Sequence, residues 1–354
     1  MRDYLIIGTG LAGIAFCETA LQNNKSFWVI NDHSENSTKI AAGLYNPVIL
    51  KRFSQVWHAA EQLNILNTFY YTLENKLNLK LDYKLPIYRK LYSIEEQNNW
   101  YQATDKPNVG AFLSADLIQP KYPYVDNPFK FGMVLKTGYI DTARLQSEYI
   151  KYLQSMDCYC NERFIHNDLM IYENYVQYKN RTARHIIFAE GYGIRHNPFF
   201  NYLPADGTKG EIIIIRAPDL KVAEIINSAI YLVPLGDDLY KIGATYNWDD
   251  KTDHPTAHGK DELLQNVKNL ITCDFEVIAH YAGIRPTVKD RRPLVGTHPR
   301  HNKCHVLNGL GTRGVMLAPE MAQYLYQYIE NKIPLDQHID ITRYADKQHL
   351  SNLD

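Results

Sequence analysis

The chain begins with an apolar run, Tyr4 to Ile7. Three glycines then fall within six residues, and apolar positions Leu11, Ile14, Cys17 and Leu21 follow at three- and four-residue spacing. Such a run suits a buried strand of a parallel sheet, and the spacing is one face of a helix. A second apolar run, "SFWVIND" (26–32), reads as the next strand, so the order is strand, helix, strand. Further on, Val56, Ala59, Leu63, Leu66, Tyr70, Leu73 and Leu77 predict a long amphipathic helix. The repeat lasts only about three heptads, which favours packing on the chain's own core over a coiled-coil partner. "EIIIIRAP" (211–218) and "YLVPLGDDLYKIGATY" (231–246) read as strands of a second sheet. There is no internal repeat or low-complexity tract. The closing "DKQHLSNLD" (346–354) carries no pattern and is expected to fray.

Length and composition narrow the class. At 354 residues, 45% hydrophobic and 22% charged, the chain is long enough for one large or two ordinary domains with ample core. The net charge of −1 argues against a general binder of nucleic acid or anionic membrane. No apolar run approaches the ~20 residues of a spanning helix. "YLIIGTGLAGIAF" after Arg2 has the look of a signal peptide, but Asp3 and the glycines break the pattern and no cleavage site closes it, so a cytoplasmic location is expected. Cys17, Cys158, Cys160, Cys273 and Cys304 are scattered and read as reduced thiols. The 13 histidines form no metal-ligand spacing, and no metal is expected.

The glycines between the first strand and helix form a full G-x-G-x-x-G: Gly8-Thr9-Gly10-Leu11-Ala12-Gly13. In that context Gly8 permits the tight turn, Gly10 lets a pyrophosphate approach the backbone, and Gly13 lets helix and strand pack closely. The helix N-terminus, through Leu11 and Ala12, offers N–H groups to the phosphates. An acidic residue should end the second strand and hold the adenosine ribose, about 20 residues on. Asp32 fits that spacing, with Asn31 as the neighbouring alternative. No arginine follows to welcome a 2′-phosphate.

Beyond this unit the sequence resembles the D-amino-acid oxidase family of flavoproteins, also called the glycine oxidase or sarcosine oxidase group. The resemblance runs along nearly the whole chain. It is carried by Ser37-Thr38-Lys39-Ile40-Ala41-Ala42-Gly43, by "GYIDTARLQSEYIKYL" (138–153), by "IIFAEGYG" (186–193), and by "GIRPTVKDRRPLVG" (283–296) with "NGLGTRGVMLAPEMAQYL" (308–325). The "GTRGVMLAP" and "AAGLYNPVILKRF" (41–53) segments are similar to the oxidoreductase half of a bifunctional bacterial enzyme that matures the tRNA wobble uridine. The resemblance implies non-covalent FAD. It also implies a Rossmann-like, glutathione-reductase-like α/β domain interleaved with a mostly antiparallel α+β substrate domain. The expected division is 1–80, 138–203 and 281–335 for FAD, 81–137 and 204–280 for substrate, and 336–354 as a tail.

The same resemblance implies the site residues. Lys39, Ala41, Ala42 and Gly43 would lie along the FAD, as would Ala189 and Gly191. Glu190 stands where the family has threonine. The turn Gly309, Gly311, Thr312, Arg313, Gly314 and Val315 would open a helix facing the flavin pyrimidine, with Pro319 near its start. Arg285 would grip a substrate carboxylate; the alternative is an ion pair with a nearby aspartate such as Asp290. Arg313 would touch substrate or flavin. Tyr231 and Tyr246 are candidates for substrate contact, with packing as the alternative. Lys51 and Arg52 stand either near the flavin or in solvent. The implied activity is oxidation of the C–N bond of a small amine or amino acid, with oxygen or another acceptor taking the electrons. A modified tRNA base as substrate, and a flavin-binding scaffold without turnover, are the rival readings.

Overall fold

The computed structural model describes residues 1–32, 34 and 37–345. Strands Arg2–Ile7 and Phe27–Asn31 pair in parallel, joined by helix Leu11–Gln22. They sit in an eight-stranded sheet, with Tyr159–Asn161 beside Phe27–Asn31 and Arg181–Phe188 beside Arg2–Ile7. The last four residues of Arg2–Ile7 are buried, as a strand flanked on both sides requires. Arg181–Phe188 pairs in parallel with Cys304–Asn308 near its end. It pairs antiparallel with Val176–Tyr178 near its start.

Helix Leu11–Gln22 is buried on every side, from Ala12 through Ala20, and not on one face as its periodicity suggests. Helices Thr142–Ser155 and Gly314–Asn331 cover what the sheet leaves open. Full burial brings Glu18 into the interior, where Lys76 Nζ and Tyr149 Oη donate to its carboxylate. A buried carboxylate without such donors would be costly.

The long apolar repeat is helix Ala59–Leu77, which packs on Gly314–Asn331 within the main core. Pro319 lies six residues into that second helix, not at its start. Proline cannot donate to the carbonyl four residues back. That carbonyl belongs to Val315, and the buried Tyr70 hydroxyl donates to it at 3.1 Å. The helix therefore tolerates an interior proline.

The second sheet has seven strands, in the order Glu276–Arg285, Thr208–Arg216, Leu239–Gly243, Tyr231–Gly236, Ile225–Asn227, Ile87–Lys90, Phe131–Val134. All pairs are antiparallel except Ile225–Asn227 with Ile87–Lys90. Two sequence-based boundaries differ from this arrangement. Glu276–Arg285 lies whole in the second sheet, so a division at 281 cuts a strand. Part of the expected tail is built into the fold: Ile339 and Ile341 are buried, and Val295 N–H donates to the Ile339 carbonyl at 3.0 Å. Residues 346–354, expected to fray, lie outside the described residues. Among the described residues no helix is long and apolar enough to cross a membrane.

Candidate active site

Four parallel strands of the first sheet end at one edge. They deliver Gly8, Asp32, Ala189 and Leu310 to the wall of a single cavity of about 1170 Å³. That exceeds the roughly 300–1,000 Å³ of an ordinary small-molecule pocket. Ligands of open α/β sheets bind at this edge.

At one end lies the first glycine turn. Gly8 has φ +104°, and a Cβ there would collide with the Ala189 carbonyl. Gly10, Leu11 and Ala12 line the cavity, with Gly10 open to it except for Thr38 Oγ1. Gly13 does not line it; a Cβ at Gly13 would overlap the Gly8 carbonyl, so this glycine serves helix–strand packing. Gln146 Nε2 holds the turn by donating to the Thr9 carbonyl at 3.0 Å. Asn31 and Asp32 both line the cavity. Burial acts to raise the Asp32 carboxyl, but donation from Ser34 and the charge of Arg163 prevail and hold it below its ordinary value.

The segment after Ser37 forms a short helix, Ser37–Ile40. Ala41, Ala42 and Gly43 line the cavity, whereas Lys39 is exposed and does not. Its helical neighbour Thr38 points inward instead, and Oγ1 accepts the Leu11 N–H at 3.2 Å. Lys51 and Arg52 are exposed in the tight turn between strands Val48–Ile49 and Ser54–Gln55 and do not line the cavity.

Ala189 and Gly191 line the cavity, as does Glu190. His166 Nε2 stands 2.9 Å from Glu190 Oε1, and Asn197 Nδ2 donates to Oε2 at 2.6 Å. At the other end, Gly311, Thr312, Arg313, Gly314 and Val315 line the wall. Gly309 is set back from it: φ is +71°, and a Cβ would press on Leu294 and Val288. Asn308 ties this turn to the preceding region, donating to the Gly191 carbonyl at 2.9 Å. Sequence reasoning missed Thr38, Gln146, His166 and Asn308. Each acts on a loop distant in sequence, so no local pattern marks it.

The second sheet closes the cavity. Its register sets Tyr231 opposite Gly243, Gly243 opposite Ile212, and Gly210 opposite Gly283. In the resulting floor Gly210 leaves room for the Arg285 guanidinium, which lies where a Gly210 side chain would be, whereas Gly243 and Gly283 are covered by Ile212 and Ile40. Arg285 Nη1 donates weakly to the Thr245 carbonyl at 3.4 Å, and the group stacks on the Tyr246 ring. Asp290 is engaged elsewhere, with Arg343 at 3.0 Å and Tyr344 at 2.6 Å. The Arg285–Asp290 alternative is therefore absent. Burial pushes both Arg285 and Arg313 below the ordinary arginine range; the neighbouring Arg292 and Arg291 add to the shift of Arg313. Tyr231 and Tyr246 line the cavity, with burial raising the Tyr231 hydroxyl. Cys304 is fully buried in its strand, its thiol pushed up to about 12 by burial, and no cysteine lines the cavity among the described residues. No group of metal-ligating side chains is present among those residues.

The family model described as FAD dependent oxidoreductase (DAO) matches residues 3–328. The chain belongs to the DAO family of FAD-dependent oxidoreductases. Among relatives of this DAO protein, the glycine oxidase of Bacillus subtilis (strain 168) is 26% identical over 157 residues, 42% of each chain. The tRNA 5-methylaminomethyl-2-thiouridine biosynthesis bifunctional protein MnmC of Aromatoleum aromaticum is 26% identical over 177 residues, 43% of this chain and 28% of that one. The matched stretch thus spans less than half of these curated relatives. The fold is shared far more widely. Iminodiacetate oxidase from Chelativorans sp. BNC1 superposes with a TM-score of 0.79 at 18% identity, covering 95% of this chain and 98% of the other. Glycine oxidase from Geobacillus kaustophilus gives 0.76 at 17%, covering 97% of both.

The residues present fit the family's cofactor. Both glycine turns open helices with no acidic residue in the first turn, so two positive dipole ends face one cavity, with the Leu11 N–H of the first already held by Thr38 Oγ1. Gly311 has φ +56°, and a Cβ there would meet nothing within 4 Å, leaving backbone open to a flat group.

Proposed function

We propose that this DAO protein oxidises the C–N bond of a small amine or amino acid bearing a carboxylate. The observation that carries the reading is Arg285: a desolvated guanidinium on the cavity wall, without an ion pair among the described residues. Fixed guanidinium forks suit bidentate binding of a carboxylate. Glycine oxidase and iminodiacetate oxidase among its similar proteins act, by their names, on compounds of this kind.

When bound, here without a covalent link, FAD would supply a two-electron acceptor for the hydride lost by the carbon next to nitrogen, and the resulting imine would be hydrolysed by water. The protein's own part is placement and charge. Gly8, Gly10, Leu11 and Ala12 would cradle the diphosphate, and Asp32 the ribose hydroxyls. The N-terminus of Gly314–Asn331 would face the pyrimidine and favour negative charge there. Arg285 would fix the carboxylate, so the reacting carbon is presented in one orientation. Tyr231 and Tyr246 would wall the substrate pocket, while Arg313 would add positive charge beside it.

Anaerobic mixing of the FAD-loaded protein with a panel of amino acids and secondary amines tests the proposal. Bleaching of the oxidised flavin band by at least one carboxylated amine is expected. A band that survives the whole panel contradicts it.

A second reading, a modified tRNA base as substrate, draws support from the likeness to MnmC and from Arg291 and Arg292 beside the cavity. Phosphate contacts would make tRNA binding fall steeply with salt. Absent or salt-insensitive binding removes this reading.

A further inference from the structure

The charges around the cavity are unevenly distributed. Its lining carboxylates among the described residues, Asp32 and Glu190, both follow strands of the first sheet. Each has a cationic or imidazole neighbour there: Arg163 acts on Asp32, and His166 lies against Glu190. The opposite end, where the second sheet meets the Gly311–Val315 turn, is lined by Arg285, Arg291 and Arg313 and by no carboxylate. Among the described residues none of these three arginines forms an ion pair. Asp290, the nearest carboxylate in sequence, is held by Arg343 and Tyr344.

Tyr246 supports one of these cations. Its ring lies under the Arg285 guanidinium, 4.6 Å from centroid to carbon, and among the described residues no ring face lies over Arg313. An aromatic face with a solvent-exposed rim relieves a desolvated cation only in part. One carboxylate bound at Arg285 would leave Arg313 uncompensated inside the same cavity. Burying an unpaired charge is costly, and an anion that pairs with it recovers that cost on binding.

We infer that the substrate of this site carries two acid groups, one carboxylate taken by Arg285 and the second by Arg313. The inference rests on the proposed amine oxidation for the location of the substrate. It goes further in naming the class: a primary or secondary amine that is a dicarboxylate. Arg313 is then the residue that selects diacids over monoacids.

Binding without turnover separates this inference from the reading beneath it. Oxydiacetate has two carboxylates around an ether oxygen and no amine to oxidise; methoxyacetate has one. Each is titrated into the FAD-loaded protein, and the perturbation of the flavin absorbance gives a Kd. Oxydiacetate is expected to bind about tenfold or more tightly, the effect of one added charge-assisted contact. In Arg313→Gln the ratio is expected to fall towards one, and in Arg313→Lys to recover in part. Equal affinities in the wild type, binding of neither acid, or a diacid preference that survives Arg313→Gln overturns the inference. Reduction of the flavin by monoacid amines alongside equal affinities sinks the diacid assignment and leaves amine oxidation standing. Failure of every amine to reduce the flavin sinks the latter, while the two Kd values still decide the former.

Discussion

The Arg285 guanidinium carbon lies 4.6 Å from the centre of the Tyr246 ring. Tyr246 is 59% exposed, so its ring is the outer support of a cation that is otherwise desolvated. Such contacts contribute about 0.5–2 kcal/mol, depending on desolvation. Tyr246→Leu is expected to raise KM for a carboxylated amine several-fold with a smaller change in kcat, whereas Tyr246→Phe retains the wild-type value. Steady-state kinetics on the three proteins checks this.

Gly13 and Gly8 lock the first turn together. A methyl group at Gly13 would overlap the Gly8 carbonyl. Gly13→Ala is expected to destabilise the protein by about 1–3 kcal/mol, the cost of overpacking. It should also weaken FAD binding by displacing the turn. Denaturant midpoints with and without FAD report both effects.

Tyr70 and Pro319 form a compensating pair. The Tyr70 hydroxyl donates to the Val315 carbonyl that the proline leaves without its helical donor. Tyr70→Phe strands a buried acceptor, at a cost of about 1–3 kcal/mol. If the tyrosine contributes only packing, the unfolding midpoint of Tyr70→Phe will match that of the wild type.

His185 and His305 meet inside the first sheet, with Nδ1 and Nε2 2.9 Å apart. Burial, aided by the charges of Lys303 and Arg184, lowers His185 from its ordinary 6.5 to about 4. Burial, His185 and nearby lysines push His305 down as well. The unfolded chain takes up protons at these positions as pH falls through about 6.5, and the folded chain does not until much lower pH. Their contribution to stability is therefore complete above about 6.5 and lost as pH falls towards 4. Thermal midpoints are expected to drop across that window, and His185→Phe to show a shallower slope. An unchanged slope in the variant assigns the acid sensitivity to other groups.

Much of this architecture was legible in local sequence. The Gly8–Gly13 turn, the strand before it and the helix Ala59–Leu77 follow from short-range spacing, because their determinants lie within a few residues of one another. The same holds for the Gly311–Val315 turn once the resemblance to flavoproteins is used. What the sequence hid depends on contacts across long separations. Lys39 and Thr38 are adjacent, yet only helix phase and the approach of Leu11 decide that Thr38 faces inward. Gly309 reads like its neighbour Gly311, but one is packed against Leu294 and the other opens on the cavity. The all-round burial of Leu11–Gln22 depends on two helices from elsewhere in the chain. The strand Glu276–Arg285 crosses the expected boundary because its partner Thr208–Arg216 holds it along its length.

The most direct test of the central claim is the rate of flavin reduction under anaerobic conditions, followed by stopped flow at increasing concentrations of a reducing amino acid. Wild type and Arg285→Gln are compared, both loaded with FAD. The expected result is an apparent Kd weakened about tenfold or more in the variant, with the oxidised flavin spectrum retained. Superimposable concentration dependence in the two proteins would contradict the assignment of Arg285 to the substrate carboxylate.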